Sequence, residues 1–248
     1  MDLGLDGRTA VVTGASAGIG AQIARTLAAE GCHLHLAARS KERLDELGEQ
    51  LRDEHGVRVV THPVDLRSSA DLEQLATAAG EADILVNNAG DIPAGTLAAV
   101  DAETWRHAWD LKVFGYIDLS RRVYAAMKER GRGVIVNVIG SAGERPDAEY
   151  IAGSTGNAAL MAFTRALGSR SPRDGIRVVG INPGPVATAR ITKLIETNTR
   201  FAGMAADFPF GRPAHPSEIA DMAAFLASDR SGYTTGTIVT IDGGLSLI

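Results

Sequence analysis

Short apolar runs alternate with longer amphipathic stretches along the whole chain. The apolar runs are mostly continuous, which is the pattern of strands buried on both faces of a parallel sheet. Strands are predicted at residues 8–13, 33–38, 57–62, 83–87, 133–138, 176–181 and 237–241. Helical patterns lie between them, near residues 19–30, 41–54, 69–80, 101–129, 154–169 and 216–228. This order predicts an α/β fold, a Rossmann-type doubly wound parallel sheet of about seven strands with helices on both faces. No linker interrupts the pattern, so we expect one domain over residues 1–248.

The stretch from about residue 189 to residue 215 breaks this rhythm. Apolar side chains occur there among glycines and prolines, at Phe201, Met204, Phe208 and Phe210. A long irregular segment inside a compact domain is typically a lid or a binding loop. These side chains either line a substrate site, which favours a substrate with apolar bulk, or anchor the loop to the body of the domain.

The composition argues against several classes of binding partner. The net charge of −5 over 248 residues provides no basic surface for nucleic acid. No apolar stretch is long enough to span a bilayer, and the N-terminal residues lack the regions of a signal peptide, so we expect a cytoplasmic protein without a membrane segment. The single cysteine, Cys32, excludes an internal disulfide. The six histidines are scattered without ligand spacing, so we expect no metal site.

A glycine-rich turn follows the first predicted strand. Residues 13–20 read Thr-Gly-Ala-Ser-Ala-Gly-Ile-Gly and lead into a helical pattern, which is the context of a dinucleotide-binding fingerprint. Gly14 allows the tight turn, Gly18 lets the backbone approach a pyrophosphate, and Gly20 lets the helix pack close to the strand. Unpaired N–H groups at the helix N-terminus attract phosphates. The predicted dinucleotide contacts here are Gly14, Ser16, Ala17, Gly18, Ile19 and Gly20.

Further motifs follow in order along the chain. They are Asp65-Leu66 after the third strand, Asn87-Asn88-Ala89-Gly90 after the fourth, Asn182-Pro183-Gly184-Pro185-Val186-Ala187-Thr188 after the sixth, and Thr235-Gly236 with Ile241-Asp242-Gly243-Gly244 around the last. With the glycine turn, the chain resembles the short-chain dehydrogenase/reductase superfamily over nearly its full length. The resemblance implies hydride transfer with a nicotinamide cofactor and a small-molecule substrate. It also implies cofactor contacts at Asp65, Leu66, Asn88, Ala89, Gly90, Pro183, Gly184, Val186 and Thr188.

The end of the second strand bears on which nucleotide binds. A dehydrogenase that prefers NAD places an acid there to bind the ribose 2′-hydroxyl, whereas this chain has Ala38 followed by Arg39 and Ser40. A guanidinium at this place can pair with the 2′-phosphate of NADP(H) through charge-assisted hydrogen bonds. We therefore expect NADP(H) in preference to NAD(H), with Arg39 and Ser40 at the 2′-phosphate. The alternative is that Arg39 is only a solvated cation at a helix start.

The second half of the chain keeps the frame of the family's active site but changes its side chains. Residues 137–143 and 157–160 match the two active-site segments of relatives without insertion or deletion. In this register the family's Ser, Tyr, Lys and Asn positions are occupied by Gly140, Gly153, Asn157 and Lys112. All four usual catalytic positions are therefore changed.

One interpretation is a relocated active site. Tyr150 lies seven residues before Asn157, a spacing that resembles the Tyr-x6-Lys pair of the superfamily's enoyl-thioester reductases and is close to two helical turns. Lys112 and Asn157 look like an exchange of the family's own Asn and Lys. Asn157 would then bind the nicotinamide ribose, and Lys112 would supply positive charge near Tyr150. Ser141 is a further candidate, although its one-residue offset from the usual Ser can turn its side chain away from the site.

Two glycines lie near the start of the helix predicted at residues 154–169. Gly153 and Gly156 each cost roughly 1 kcal/mol of helix stability relative to Ala. Either another group approaches that backbone closely, or the first helical turn is frayed. Both options enlarge the pocket near the nicotinamide.

Two other interpretations of the active-site half remain open. Carbonyl reduction without a proton donor is disfavoured, so the changed positions also suit a catalytically inactive NADP(H)-binding sensor or partner subunit. The third interpretation is another reaction in the same site, such as an elimination or isomerisation. In the loop before the helix, Arg145 is either solvated surface or a cation that meets an anionic substrate group.

The resemblance also bears on assembly. Family members commonly form homotetramers through the two long helices near residues 101–129 and 154–169 and through the last strand. The apolar residues 245–248 would be exposed on a monomer unless they fold back onto their own domain. We expect a homotetramer.

Overall fold

The fold is a seven-stranded parallel sheet, as the sequence predicts. The computed structural model describes residues 1–197, 203 and 208–247. The strands are β1 Thr9–Thr13, β2 His33–Ala38, β3 Val59–Pro63, β4 Ile84–Asn87, β5 Gly133–Val138, β6 Ile176–Pro183 and β7 Ile238–Ile241. They are hydrogen-bonded in the order β3-β2-β1-β4-β5-β6-β7. The predicted fold class is confirmed, with small shifts at the strand ends.

Eight α-helices are described in the part of the chain given above. They are α1 Gly18–Ala29, α2 Lys41–His55, α3 Ser69–Ala78, α4 Ala102–Trp109, α5 Gly115–Arg130, α6 Ile151–Arg170, α7 Ala189–Thr197 and α8 Pro216–Ala227. Among these described helices, none combines the length and the apolar character needed to cross a membrane.

Two predictions about helices were wrong. The single helix expected over residues 101–129 is divided by a π-helical turn, Asp110–Phe114, between α4 and α5. A wide turn of this kind adds a residue locally and is common at functional sites, but a 3.6-residue periodicity does not reveal it. The irregular segment expected from residue 189 begins instead with α7. Phe201 and Met204 lie outside the described residues.

Alternating side chains of each strand pack into two separate layers. Val12 of β1 faces a core cluster shared with α1, α2 and α8, whereas its neighbour Val11 faces a cluster shared with α3 and α5. Because successive side chains of a strand point to opposite faces, both faces of the sheet are covered. The carboxyl ends of the strands remain as the edge at which loops can form a site.

A buried chain of polar side chains ties α5 and α6 to the carboxyl ends of β4 and β5. The Asn87 amide donates to Ser120 Oγ and to Asn137 Oδ1, both at 2.9 Å. The Asn137 amide donates in turn to Thr164 Oγ1 of α6 at 3.0 Å. Buried polar groups need such partners, so this chain fixes where α6 lies on the sheet.

Candidate active site

The glycine turn after β1 is packed against the end of β4. Gly14 has φ +65°, and a Cβ atom there would lie 2.9 Å from Ala89 Cα. A Cβ atom at Gly20 would collide with the carbonyl oxygen of Gly14. The turn can therefore hold this shape only with glycine at both positions, and its backbone stays open to a ligand.

Hydrogen bonds from the end of β4 hold the turn in place. Thr13 Oγ1 accepts the backbone N–H groups of Asn88 at 2.9 Å and Ala89 at 3.1 Å. The Asn88 side-chain amide donates to the Thr13 carbonyl at 3.0 Å. Of the predicted cofactor residues on this loop, Asn88 thus uses its side chain to shape the turn.

The loop after β6 crosses the same turn. A Cβ atom at Gly18 would lie 3.2 Å from Thr188 Cγ2, so Thr188 lies close to Gly18, which itself stays exposed. Thr188 also precedes α7, since its carbonyl accepts the N–H of Thr192 at 2.9 Å. The N-terminus of α1 beneath has neither a side-chain cap nor an acidic residue in its first turn. Its N–H groups therefore form an uncompensated positive end close to Thr188. The contacts predicted at Pro183, Gly184 and Val186 stay predictions.

The turn between β2 and α2 presents a cation. Arg39 is exposed and forms no ion pair with any described residue. Ser40 directly precedes α2, and its hydroxyl lies 3.4 Å from Glu42. Nearby, Asp65 accepts a hydrogen bond from Arg67 Nε at 2.8 Å, and this contact lowers the pKa of the Asp65 carboxyl. Sequence reasoning missed Arg67, which occupies the carboxylate of Asp65, one of the cofactor contacts that the resemblance implies.

The buried side chain of Asn157 faces Gly140. Gly140 has φ +146°, and a Cβ atom there would lie 2.9 Å from Asn157 Nδ2. The usual Ser is therefore excluded both by the backbone conformation and by this amide. Asn157 is only 2% exposed, and its Oδ1 has no hydrogen-bond partner among the described residues. A buried acceptor without a partner is costly, so this oxygen has the capacity to accept a further hydrogen bond.

Lys112 reaches the same place from the π-helical turn. Its Nζ donates to the carbonyl of Ile139, the residue before Gly140, at 2.5 Å. Its stem passes over Gly90, where a Cβ atom would lie 2.8 Å from Lys112 Cδ. Loss of solvent lowers the pKa of Lys112 to about 8, and repulsion from Arg190 adds to the effect. The structure thus brings Lys112 and Asn157 to adjacent residues of one loop, as the exchange hypothesis requires.

Tyr150 occupies the space that the usual Tyr position has lost. A Cβ atom at Gly153 would overlap the Tyr150 ring. The alternative of a frayed first turn is wrong, because α6 begins at Ile151 and Tyr150 is its N-cap. Tyr150 itself has φ −139° and ψ 42°, so the helix does not extend to it and the spacing of two helical turns to Asn157 does not apply. Close approach of another group to the Gly153 backbone is confirmed.

The Tyr150 ring lies in an apolar cluster, and the charges of Arg190 and Asp91 act on its hydroxyl. The ring packs with Trp105 and Trp109 against the buried Ile92 and Ala152. Its hydroxyl makes no hydrogen bond to a described residue. Burial raises the pKa of Tyr150, and the positive charge of Arg190 opposes this rise. The phenol therefore remains protonated at neutral pH and can donate its proton.

Ser141 directly follows Gly140 but is not hydrogen-bonded to the other candidate side chains, and its catalytic role stays a prediction. It begins a 3₁₀ turn, Ser141–Gly143, and its hydroxyl makes no hydrogen bond to Tyr150, Lys112 or Asn157. Arg145 is directed elsewhere, because its guanidinium donates to the Leu245 carbonyl at 2.7 Å. Of these two side chains, only Arg145 is engaged elsewhere.

Sequence reasoning missed Arg190, the second residue of α7. Its Nη1 lies 3.1 Å from Asp91 Oδ1, and its Nη2 donates to the Ile92 carbonyl at 2.8 Å. Its charge acts on the pKa values of both Lys112 and Tyr150. An isolated Arg at a helix start has no pattern in sequence that marks it, so only its position in space identifies it.

The segment around residues 208–215 encloses a separate cavity. The cavity has a volume of about 350 Å³ and lies between this segment and the end of β7. Phe208 is buried there and Phe210 is exposed, with φ +60°. Tyr150, Lys112 and Asn157 do not line the cavity. Phe208 thus anchors its segment to the body of the protein.

Comparisons with known proteins agree with this architecture. A family model described as enoyl-(acyl carrier protein) reductase matches residues 14–246. Galactitol 2-dehydrogenase (L-tagatose-forming) of Cereibacter sphaeroides is 36% identical over 98% of this chain and 96% of its own length. The 3-oxoacyl-[acyl-carrier-protein] reductase of Escherichia coli is 34% identical over 99% of this chain and 100% of its own length. The crystal structure of L-sorbose reductase from Gluconobacter frateurii, complexed with NADPH and L-sorbose, has a TM-score of 0.93 and 34% identity, and each chain covers 100% of the other.

Proposed function

The chain belongs to the short-chain dehydrogenase/reductase superfamily, and on that premise we propose that it is an NADP(H)-dependent oxidoreductase with a rearranged active site. Its reaction is hydride transfer to or from a carbonyl or conjugated enoyl small molecule. The observation that carries the proposal is the position of Tyr150, whose ring fills the volume left by Gly153 at the family's Tyr position.

The residues present fit a nicotinamide dinucleotide. The open backbone of the glycine turn and the positive end of α1 suit a pyrophosphate. The unpartnered Oδ1 of Asn157 suits a hydroxyl of the nicotinamide ribose. Arg39, exposed and unpaired among the described residues, suits the 2′-phosphate of NADP(H). The similar structure of L-sorbose reductase holds NADPH, which supports the same choice here.

The proton in the proposed reaction comes from Tyr150. NADPH, when bound, supplies the hydride. Negative charge then develops on the substrate oxygen, as an alkoxide from a carbonyl or an enolate from a conjugated enoyl group. The Tyr150 phenol donates a proton to this charge. The Lys112 ammonium, fixed on the Ile139 carbonyl, stabilises it electrostatically.

Replacement of Tyr150 by Phe tests the proposal. The variant keeps the ring that fills the space over Gly153 and removes only the hydroxyl. General acid catalysis typically contributes 10²–10⁴-fold, so we expect kcat to fall by about 10²-fold or more. The assay is NADPH oxidation with panels of ketones, aldehydes and conjugated enoyl thioesters. NADPH affinity, measured by calorimetry, should stay unchanged.

Tyr124→Phe is the matched control. Its hydroxyl donates to Asp174 at 2.6 Å, far along the chain from the proposed site, and it should keep full activity. Equal turnover of Tyr150→Phe and wild type would remove Tyr150 from the mechanism. Tight NADPH binding with no turnover on any substrate would favour a cofactor-binding sensor or partner subunit instead.

A further inference from the structure

Arg190 places a second cation beside the proposed site. It stands at the start of α7 and joins this helix to the loop after β4 through Asp91 and the Ile92 carbonyl. Its charge acts on both Lys112 and Tyr150. The reaction described above uses the Lys112 ammonium and the Tyr150 phenol, and Arg190 takes no part in it.

The ion pair between Arg190 and Asp91 is weak. The side chains of Arg190 and Asp91 are 49% and 68% exposed, and exposed ion pairs contribute little to stability. The guanidinium fork matches a carboxylate bidentately. A carboxylate on a ligand can therefore take the place of Asp91 at small cost while Nη2 stays on the Ile92 carbonyl.

The surface next to this cation is apolar. Ile92, whose carbonyl binds Arg190, is buried in the same cluster as Trp105, Trp109 and the Tyr150 ring. Trp109 is fixed there by a hydrogen bond from Nε1 to the Ala152 carbonyl at 2.9 Å. The Arg190 guanidinium thus lies next to the apolar cluster that contains the Tyr150 ring.

We propose that Arg190 binds a carboxylate of the substrate, so that the substrate class is an oxo or conjugated enoyl carboxylic acid with an apolar group. This inference rests on the proposed function for the identity of the reacting group. The subsite itself does not depend on turnover. Arg145, the cation suggested by the sequence, is instead engaged with the Leu245 carbonyl.

Binding of an unreactive carboxylate tests the subsite apart from catalysis. The probe is 3-phenylpropanoate, compared with the neutral 3-phenylpropanamide, titrated by calorimetry into the protein saturated with NADP⁺. Ion pairs between exposed groups contribute about 0.2–1 kcal/mol, so the carboxylate should bind up to about fivefold more tightly than the amide. Arg190→Gln should abolish this preference, and Arg145→Gln should keep it.

A variant that gains binding separates the role of Arg190 from misfolding of Arg190→Gln. Asp91→Asn removes the competing carboxylate and should tighten 3-phenylpropanoate binding several-fold, without changing the affinity for 3-phenylpropanamide. Equal binding of acid and amide by the wild type would overturn the inference, as would loss of the preference in Arg145→Gln and not in Arg190→Gln. Arg190-dependent binding in a protein without turnover would keep the subsite and remove the proposed function.

Discussion

At the scale of single residues, Gly153 and Tyr150 form one unit. Glycine inside a helix costs roughly 1 kcal/mol relative to Ala, and α6 carries this cost at the family's Tyr position. The structure gives the reason, because the missing Cβ atom admits the Tyr150 ring. The effect of a substitution at Gly153 on stability therefore depends on which side chain stands at position 150.

A double-mutant cycle tests this coupling. Gly153→Ala alone should destabilise the protein by about 1–3 kcal/mol, because the new methyl group overlaps the ring. In the Tyr150→Ala background the same substitution should stabilise it by about 1 kcal/mol through helix propensity. Urea unfolding of the four proteins measures both effects. The same sign in both backgrounds would show that ring and glycine are independent.

The charge of Lys112 predicts a pH dependence. Its ammonium exists below the lowered pKa of about 8 and is lost above it. If this charge stabilises the developing oxyanion, kcat should be constant at lower pH and fall as the pH rises through about 8. The phenol of Tyr150 does not titrate in this range, because burial raises its pKa.

Lys112→Met should cut kcat about 10²-fold or more and remove the fall near pH 8. Lys128→Met is the control, since Lys128 pairs with Asp174 3.1 Å away on the surface. A pH profile of Lys112→Met with the same upper limb as wild type would assign the titration to another group and contradict the role of Lys112.

At the scale of elements, the strands follow from the sequence and two helical details do not. Continuous apolar runs predict all seven strands because both faces of the sheet are buried. The π-helical turn Asp110–Phe114 leaves no mark in the sequence periodicity, although its Val113 packs close to α6 at Gly156. The helix Ala189–Thr197 follows a loop that contains proline and glycine. These residues made the whole segment look irregular, so the sequence did not predict the helix.

The turn from β2 to α2 carries Arg39, which predicts a preference for NADPH over NADH. Arg39→Gln should weaken NADPH binding about 10-fold or more and leave NADH binding nearly unchanged, because only NADPH carries the 2′-phosphate. Titration by calorimetry or by nicotinamide fluorescence measures both affinities. Arg43→Gln, on the exposed surface of the same helix, is the matched control. Equal losses for NADPH and NADH would assign Arg39 a general role.

At the scale of the whole molecule, parallel topology explains why distant motifs converge. The carboxyl ends of β1, β4, β5 and β6 lie on one edge of the sheet, so the motifs that follow these strands meet there. This much could be predicted from the sequence, including the approach of Lys112 and Asn157. The position of Arg190 could not, because it depends on how α7 lies against the loop after β4. The homotetramer stays a prediction.

Hydride tracing measures the central claim most directly. The protein is incubated with NADPH deuterated at C4 and a metabolite extract, and deuterated products are sought by mass spectrometry. The account predicts a deuterated product with wild type that is absent with Tyr150→Phe, and an acidic product would agree with the Arg190 subsite. Transfer that is equal in both proteins, or no transfer despite tight NADPH binding, would contradict a relocated active site at Tyr150.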